Sequence, residues 1–178
     1  MCGQAGLPVL WLFTDAARLP DPRAAVARLP RGLCGVVLRH DAAPDRAALG
    51  RDLARICRQR RNRLVVAGDW RLAARLHAGL HLRRGFRTGG LGGRPVTSSA
   101  HTIIECRRAA RAGAKLVFLS PAFATASHIG APGLGMRWGG MAQRAGLAVA
   151  ALGGIDGRSV RRLPPLLVVA AGAIGALV

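Results

Sequence analysis

The chain has 178 residues, 51% of them hydrophobic, with 27 basic against 8 acidic residues and a formal charge of +19. That length and apolar content fit one folded domain, residues 1–178, with a real core, and exclude an intrinsically disordered chain. The charge points first to nucleic acid, but Lys115 is the only lysine, Asn62 the only asparagine and tyrosine is absent, which is how GC-rich coding inflates arginine without any polyanionic ligand.

The arginines are also spread along the chain, in short pairs such as Arg60-Arg61, Arg83-Arg84 and Arg161-Arg162. Aromatic platforms for bases are scarce, at 4% of residues, so an RNA-binding module is the weaker alternative. Cys2, Cys34, Cys57 and Cys106 have no metal or redox spacing and read as small buried hydrophobes. No basic stretch followed by an apolar one opens the chain, and the apolar tail Leu166–Val178 falls short of the ~20 residues that span a bilayer. The expected location is cytoplasmic, with no membrane partner.

In chain order, Pro8–Thr14 predicts a strand buried on both faces, as in parallel sheets. Asp21-Pro22 opens a helix to about Arg28, with Asp21 as its cap. Cys34–Leu38 predicts the second strand and Ala42–Arg61 the longest helix, where Leu49, Leu53 and Ile56 recur at helical spacing. Leu64–Ala67 is the third strand, Trp70–His77 a short helix and Gly79–Leu82 the fourth strand. Arg83–Arg94 is basic, glycine-rich and without period, hence a loop. Val96–Ser99 is the fifth strand. A helix over His101–Ala112 turns Ile103, Ile104 and Cys106 to the core. Ala114–Leu119 is the sixth strand, followed by a long loop with Thr125, Ser127, His128 and several glycines. Trp138–Ala145 predicts a helix, Leu147–Leu152 the seventh strand, Arg158–Leu163 a short helix, and Ala173–Val178 the last strand.

Strands alternating with helical patterns call for right-handed βαβ units and a parallel sheet. Seven or eight of them predict an α/β fold, a compact (β/α)8 TIM barrel shortened at its C-terminus, the last helix missing; a doubly wound open sheet is the alternative. An uncovered last strand predicts a homodimer or a truncated gene. In a parallel barrel the site lies at the C-terminal strand ends. Those ends offer Thr14 and Asp15; Arg39, His40 and Asp41; Gly68 and Asp69; His81; Ser99 and His101; Pro121, Thr125, Ser127 and His128; and Gly153 and Gly154. Taken singly, Asp15, Asp69 and Ser99 also read as helix caps, and His81 as a satisfied core imidazole.

Several of these segments match one family. Leu10–Asp15 (LWLFTD) resembles its first strand, L-Y-L-V-T-D; Val36–Arg39 its V-Q-L-R; Ala78–Leu82 its A-D-G-V-H-L; Ser99-Ala100-His101 its S-x-H. Ser120–His128 (SPAFATASH) resembles G-P-x-F-x-T-x-T-K, and Ala148–Ile155 resembles P-V-V-A-I-G-G-I. Along nearly its whole length the chain resembles the thiamine phosphate synthase and TenI-type thiazole tautomerase superfamily, as a divergent member.

The resemblance implies a (β/α)8 barrel in thiamine biosynthesis. The synthase joins hydroxymethylpyrimidine diphosphate to thiazole phosphate and expels pyrophosphate with magnesium, through a pyrimidine methylene cation. Such a site needs cations for the pyrophosphate and backbone N–H groups for the thiazole phosphate. By resemblance, Arg39, Ser99, Thr125 and Ser127 face substrate and phosphates, Asp69 holds magnesium, and Gly153 and Gly154 present amides to a phosphate. His128 and His101 are the imidazoles placed for acid–base work. Where the family carries Gln, Lys, Asn and a loop Lys, this chain has Val37, Asp41, Gly68 and His128. Arg83, Arg84, Gly85 and Phe86 stand where a second metal aspartate is expected. The implied magnesium site is therefore weakened. The alternatives are a TenI-like tautomerase, whose histidine position is Pro121 here, and a catalytically inactive barrel that binds a phosphate ligand.

Overall fold

A computed structural model of the protein describes residues 6–86, 93–123 and 135–174. Eight parallel strands close into a barrel in strict sequence order. They are β1 (Leu10–Phe13), β2 (Cys34–Leu38), β3 (Arg63–Ala67), β4 (Gly79–Leu82), β5 (Val96–Ala100), β6 (Leu116–Leu119), β7 (Ala148–Leu152) and β8 (Ala170–Ala173). Pairing of Leu10 with Ala171 and Trp11 with Gly172 closes the ring and excludes the open sheet. Five α-helices lie among the described residues: α1 (Arg23–Arg28), α2 (Arg46–Gln59), α3 (Trp70–Arg75), α4 (Ile103–Arg111) and α5 (Gly139–Arg144). Single 3-10 turns, Gly135–Trp138 and Ser159–Arg162, complete the connections to α5 and β8. Among the described residues no helix is long and apolar enough to cross a membrane.

Alternation along the strands builds two cores. Leu12, Val36, Val66, Leu80, Val117 and Val149 face outward and pack under Val26, Leu49, Leu53, Leu72 and Cys106 of the helices. Trp11, Phe13, Val37, Val65, Leu116 and Phe118 fill the barrel with four small residues, Ala67, Ala148, Ala150 and Ala170. The three rings meet edge to face, with Phe118 centroids 5.4 Å from Trp11 and 4.8 Å from Phe13. Rings of that size fit so short a barrel only where neighbouring strands carry no side chain. A Cβ on Gly35 would overlap the Trp11 indole, and one on Gly172 would lie 2.9 Å from Phe13.

Three expectations are corrected. The last strand is Ala170–Ala173, not within Ala173–Val178. The Val169 N–H donates to Val149 O and the Ala171 N–H to Val9 O, and this register puts Gly172 under Phe13. Ile104 is 64% exposed. One helical step of about 100° turns it away from the face shared by Ile103 and Cys106. Ser99 does not cap α4. It lies within β5, and Thr102 Oγ1 accepts the Glu105 N–H at 3.3 Å. The loop expected to carry Thr125, Ser127 and His128 lies outside the described residues.

Candidate active site at the C-terminal mouth of the barrel

The i, i+2 alternation that fills the barrel continues past its strand ends. Arg39 follows Val37, Arg83 follows His81, His101 follows Ser99, and Ser120 follows Phe118. With Phe13, Asp41, Ala67, Arg84 and Leu152 these side chains line a cavity of about 360 Å³. Seven of the eight strands thus contribute to one rim. Its walls carry Arg39, Arg83 and Arg84 against the single carboxylate of Asp41. Low-dielectric walls of one sign concentrate anions.

His81 forms the floor. Its Nδ1 lies 2.9 Å from Thr97 Oγ1 and its ring stands edge-on to Phe13. Burial, then the charges of Arg39 and Arg83, push its pKa down to about 3, so the imidazole is neutral at physiological pH. It is the satisfied core histidine of the two readings. His40 is structural too: its Nδ1 lies 2.9 Å from Thr14 Oγ1 and its Nε2 lies 3.2 Å from Pro20 O. Thr14 Oγ1 also accepts the Arg39 N–H at 2.9 Å, which fixes the backbone that presents Arg39. The Arg39 guanidinium itself makes no hydrogen bond or ion pair among the described residues.

His101 is held from two sides. Its Nδ1–H donates to Ser120 O at 2.7 Å, and its backbone N–H donates to Glu105 Oε2 at 2.6 Å. The first bond requires the ring proton on Nδ1, because a carbonyl oxygen only accepts. Glu105, capped in turn by Thr102, also lies 3.8 Å from Arg84 Nε. Beside it, β7 ends in Gly153 and Gly154, both at positive φ (92° and 66°). The Phe123 N–H donates to Gly153 O at 3.1 Å and the Ala122 N–H to Leu152 O at 2.8 Å, so the end of β6 is zipped to the end of β7. A Cβ on Gly153 would meet Pro121 Cα at 3.2 Å, and the positive φ alone disfavours any other residue.

Asp69 sits at the same end but outside this cavity, in a shallow depression with Gly68, Trp70, Arg71 and Arg75. Its Oδ1 accepts the Leu72 N–H at 2.9 Å and caps α3. Its Oδ2 lies 3.8 Å from Arg46 Nη1. Arg46 reaches up from the first turn of α2 to donate to Ala67 O at 2.6 Å and to pair with Asp41 Oδ1 at 3.2 Å. The other oxygen of Asp41 pairs with Arg83. Magnesium wants oxygen ligands in octahedral array, commonly one or two carboxylates plus substrate oxygens. Among the described residues no three His, Cys, Asp or Glu side chains gather to hold a metal. Both nearby carboxylates already face guanidinium groups. The donor set does not fit a magnesium ion.

The structure therefore gathers Arg39, Ser99 and His101 in one cavity, with Gly153 and Gly154 beside it and Asp69 set apart. Thr125, Ser127 and His128 lie outside the described residues. Sequence reasoning missed the part played by Arg83, Arg84, Arg46 and Ser120. The signal for the arginine pair was its place directly after the GLHL strand; for Arg46, a helical arginine, there was none. A second cavity, about 260 Å³ and mostly apolar, opens at the opposite end of the barrel between Trp11, Asn62, Val96 and Lys115.

No curated protein matches the chain. Among solved structures it resembles the thiamine phosphate pyrophosphorylase of Pyrococcus furiosus, at 20% identity and a TM-score of 0.77, covering 94% of this chain and 86% of that one. It also resembles the thiamine phosphate pyrophosphorylase of Bacteroides thetaiotaomicron, at 21% identity and a TM-score of 0.64, covering 96% and 84%. A 3-keto-L-gulonate-6-phosphate decarboxylase of Vibrio cholerae shares the fold at 10% identity and a TM-score of 0.65, covering 93% and 87%. The sequence profile described as thiamine monophosphate synthase matches residues 12–176, and the chain belongs to that family.

Proposed function

We propose that this barrel acts in thiamine biosynthesis as a thiamine phosphate synthase-type transferase that binds phosphorylated pyrimidine and thiazole at its C-terminal mouth. The observation that carries the reading is the convergence of Arg39, Arg83, Arg84, Ser99 and His101 on one cavity beside the Gly153-Gly154 turn. In the proposed reaction the C–O bond between the pyrimidine methylene and the diphosphate breaks, and pyrophosphate leaves with the electron pair. The thiazole nitrogen then donates its lone pair to the methylene carbon and the new C–N bond forms. The arginines bind and orient the departing anion, and fixed guanidinium charge stabilises it as negative charge builds. The Gly153-Gly154 backbone approaches the thiazole phosphate closely. Roles for Thr125, Ser127 and His128 rest on the sequence resemblance alone.

A second reading is favoured by His101. An imidazole held through Nδ1 by Ser120 O is suited to proton transfer at Nε2, which is the work of a thiazole tautomerase. One experiment separates the two. The protein is titrated calorimetrically with thiazole phosphate, then incubated with both substrates. Heat of binding and release of pyrophosphate support the transferase; isomerisation of the thiazole without the pyrimidine supports the tautomerase. No heat at millimolar ligand contradicts both.

A further inference from the structure

We infer that Arg83 does here the work of a divalent cation, so that this site grips a diphosphate through guanidinium groups and does not depend on magnesium. The inference rests on the proposed function and concerns how its anion is held.

Position 83 follows β4 directly, and its side chain crosses the end of β3 to pair with Asp41 after β2. The side chain passes over Gly68 at ordinary contact distance. A Cβ there would lie 3.4 Å from Arg83 Nε and 3.5 Å from its Cζ. The backbone bearing Arg83 is fixed from below. The Gly85 N–H donates to Ser98 Oγ at 3.0 Å, and Ser98 Oγ–H is within reach of Leu82 O at 3.2 Å. Arg46 meets Asp41 from the other side, at 3.2 Å, and Asp69 at 3.8 Å. Two guanidinium groups thus occupy the carboxylates from which a metal ion would have to be hung.

Stability does not account for this arrangement. The Asp41 and Arg83 side chains are 39% and 54% exposed, and pairs so wet contribute only about 0–1 kcal/mol. The pairing does orient the charge. Asp41 engages one edge of the Arg83 fork, and the guanidinium lines the cavity beside Arg39 and Arg84. A guanidinium has five N–H donors in a plane that matches paired phosphate oxygens, and it stays charged at any working pH. A metal placed among Arg39, Arg46 and Arg83 would meet like charge on every side with no unpaired carboxylate to offset it.

The test uses inorganic pyrophosphate as probe, titrated into the full chain by calorimetry in excess EDTA and again in millimolar magnesium. Wild type is expected to bind in EDTA, with affinity that magnesium does not improve. Arg83→Ala should weaken binding in EDTA by about tenfold, the loss of one charge-assisted contact. Arg83→Asp, which reverses the charge beside Asp41, should bind only when magnesium is added. Because Arg83 is more than half exposed, both variants should fold, and circular dichroism checks this. Wild-type binding that requires magnesium would overturn the inference and leave the proposed function standing. No binding with or without metal would overturn both.

Discussion

Asp69 Oδ1 accepts the backbone N–H of Leu72 at 2.9 Å, so the aspartate that follows β3 is the cap of α3. A capped N–H would otherwise be an orphan of the first helical turn, and losing such a cap costs about 1 kcal/mol. Asp69→Ala should therefore lower unfolding free energy by that amount in urea melts, while Asp69→Asn, which keeps an acceptor, stays near wild type. Neither should change pyrophosphate affinity in EDTA. A loss of affinity with both would make Asp69 part of the binding machinery.

His81 makes the fold acid-sensitive. Its pKa in the folded chain is about 3, against an ordinary 6.5, because the charged ring would be buried beneath Arg39 and Arg83. Well above pH 6.5 neither state binds the proton and stability is unaffected. As the pH falls from there towards 3, the unfolded chain takes a proton that the folded chain refuses. Stability should fall with a slope approaching about 1.4 kcal/mol per pH unit from this group alone. Urea melts between pH 6.5 and about pH 5 should show a steeper loss for wild type than for His81→Gln, whatever the absolute stability of the variant. Equal slopes would show that the ring is protonated in the folded state.

Gly35 pairs with Trp11 across β1 and β2, and there is no room for a methyl group against the indole. Trp11 cannot retreat easily, since its Nε1–H donates to Pro8 O at 2.9 Å and its ring meets Phe118. Gly35→Ala should destabilise the barrel by about 1–3 kcal/mol, the usual cost of overpacking. The check is a chemical melt alongside Gly32→Ala. Gly32 has open space around it but a φ of 75°, so its loss is backbone strain alone and should be smaller.

Arg39 behaves in the opposite way. Its guanidinium supports nothing in the described fold, and its backbone is fixed through the N–H to Thr14, which any residue retains. Arg39→Ala should change stability by less than about 0.5 kcal/mol. The same variant should bind thiazole phosphate or pyrophosphate about tenfold more weakly. A destabilised variant with intact binding would remove Arg39 from the site.

The parts of this molecule that could be read from sequence are those where local chemistry is unambiguous. CGVVL, RLVVA and LVFL are apolar runs ended by polar or glycine residues, and they are strands β2, β3 and β6. Arg39, Ser99 and His101 stand at strand ends, which is why the sequence could group them, and they line one cavity. β8 was misplaced because LLVVAAGAIGALV is apolar throughout, and its register is decided by Phe13 and Val149 on distant strands. Arg83 and Arg46 were not singled out because their meaning lies in Asp41, Gly68 and Asp69, which reach them only through the closed ring. In a chain so rich in arginine, no local pattern separates a solvated guanidinium from one aimed into a cavity.

The most direct test of the account is a crystal structure of the protein soaked with thiazole phosphate. The account predicts the ligand at the C-terminal mouth, its phosphate beside the Gly153-Gly154 turn and within reach of Arg39 or Arg83. Ligand bound instead in the apolar cavity at the opposite end, between Trp11, Asn62 and Lys115, would contradict it.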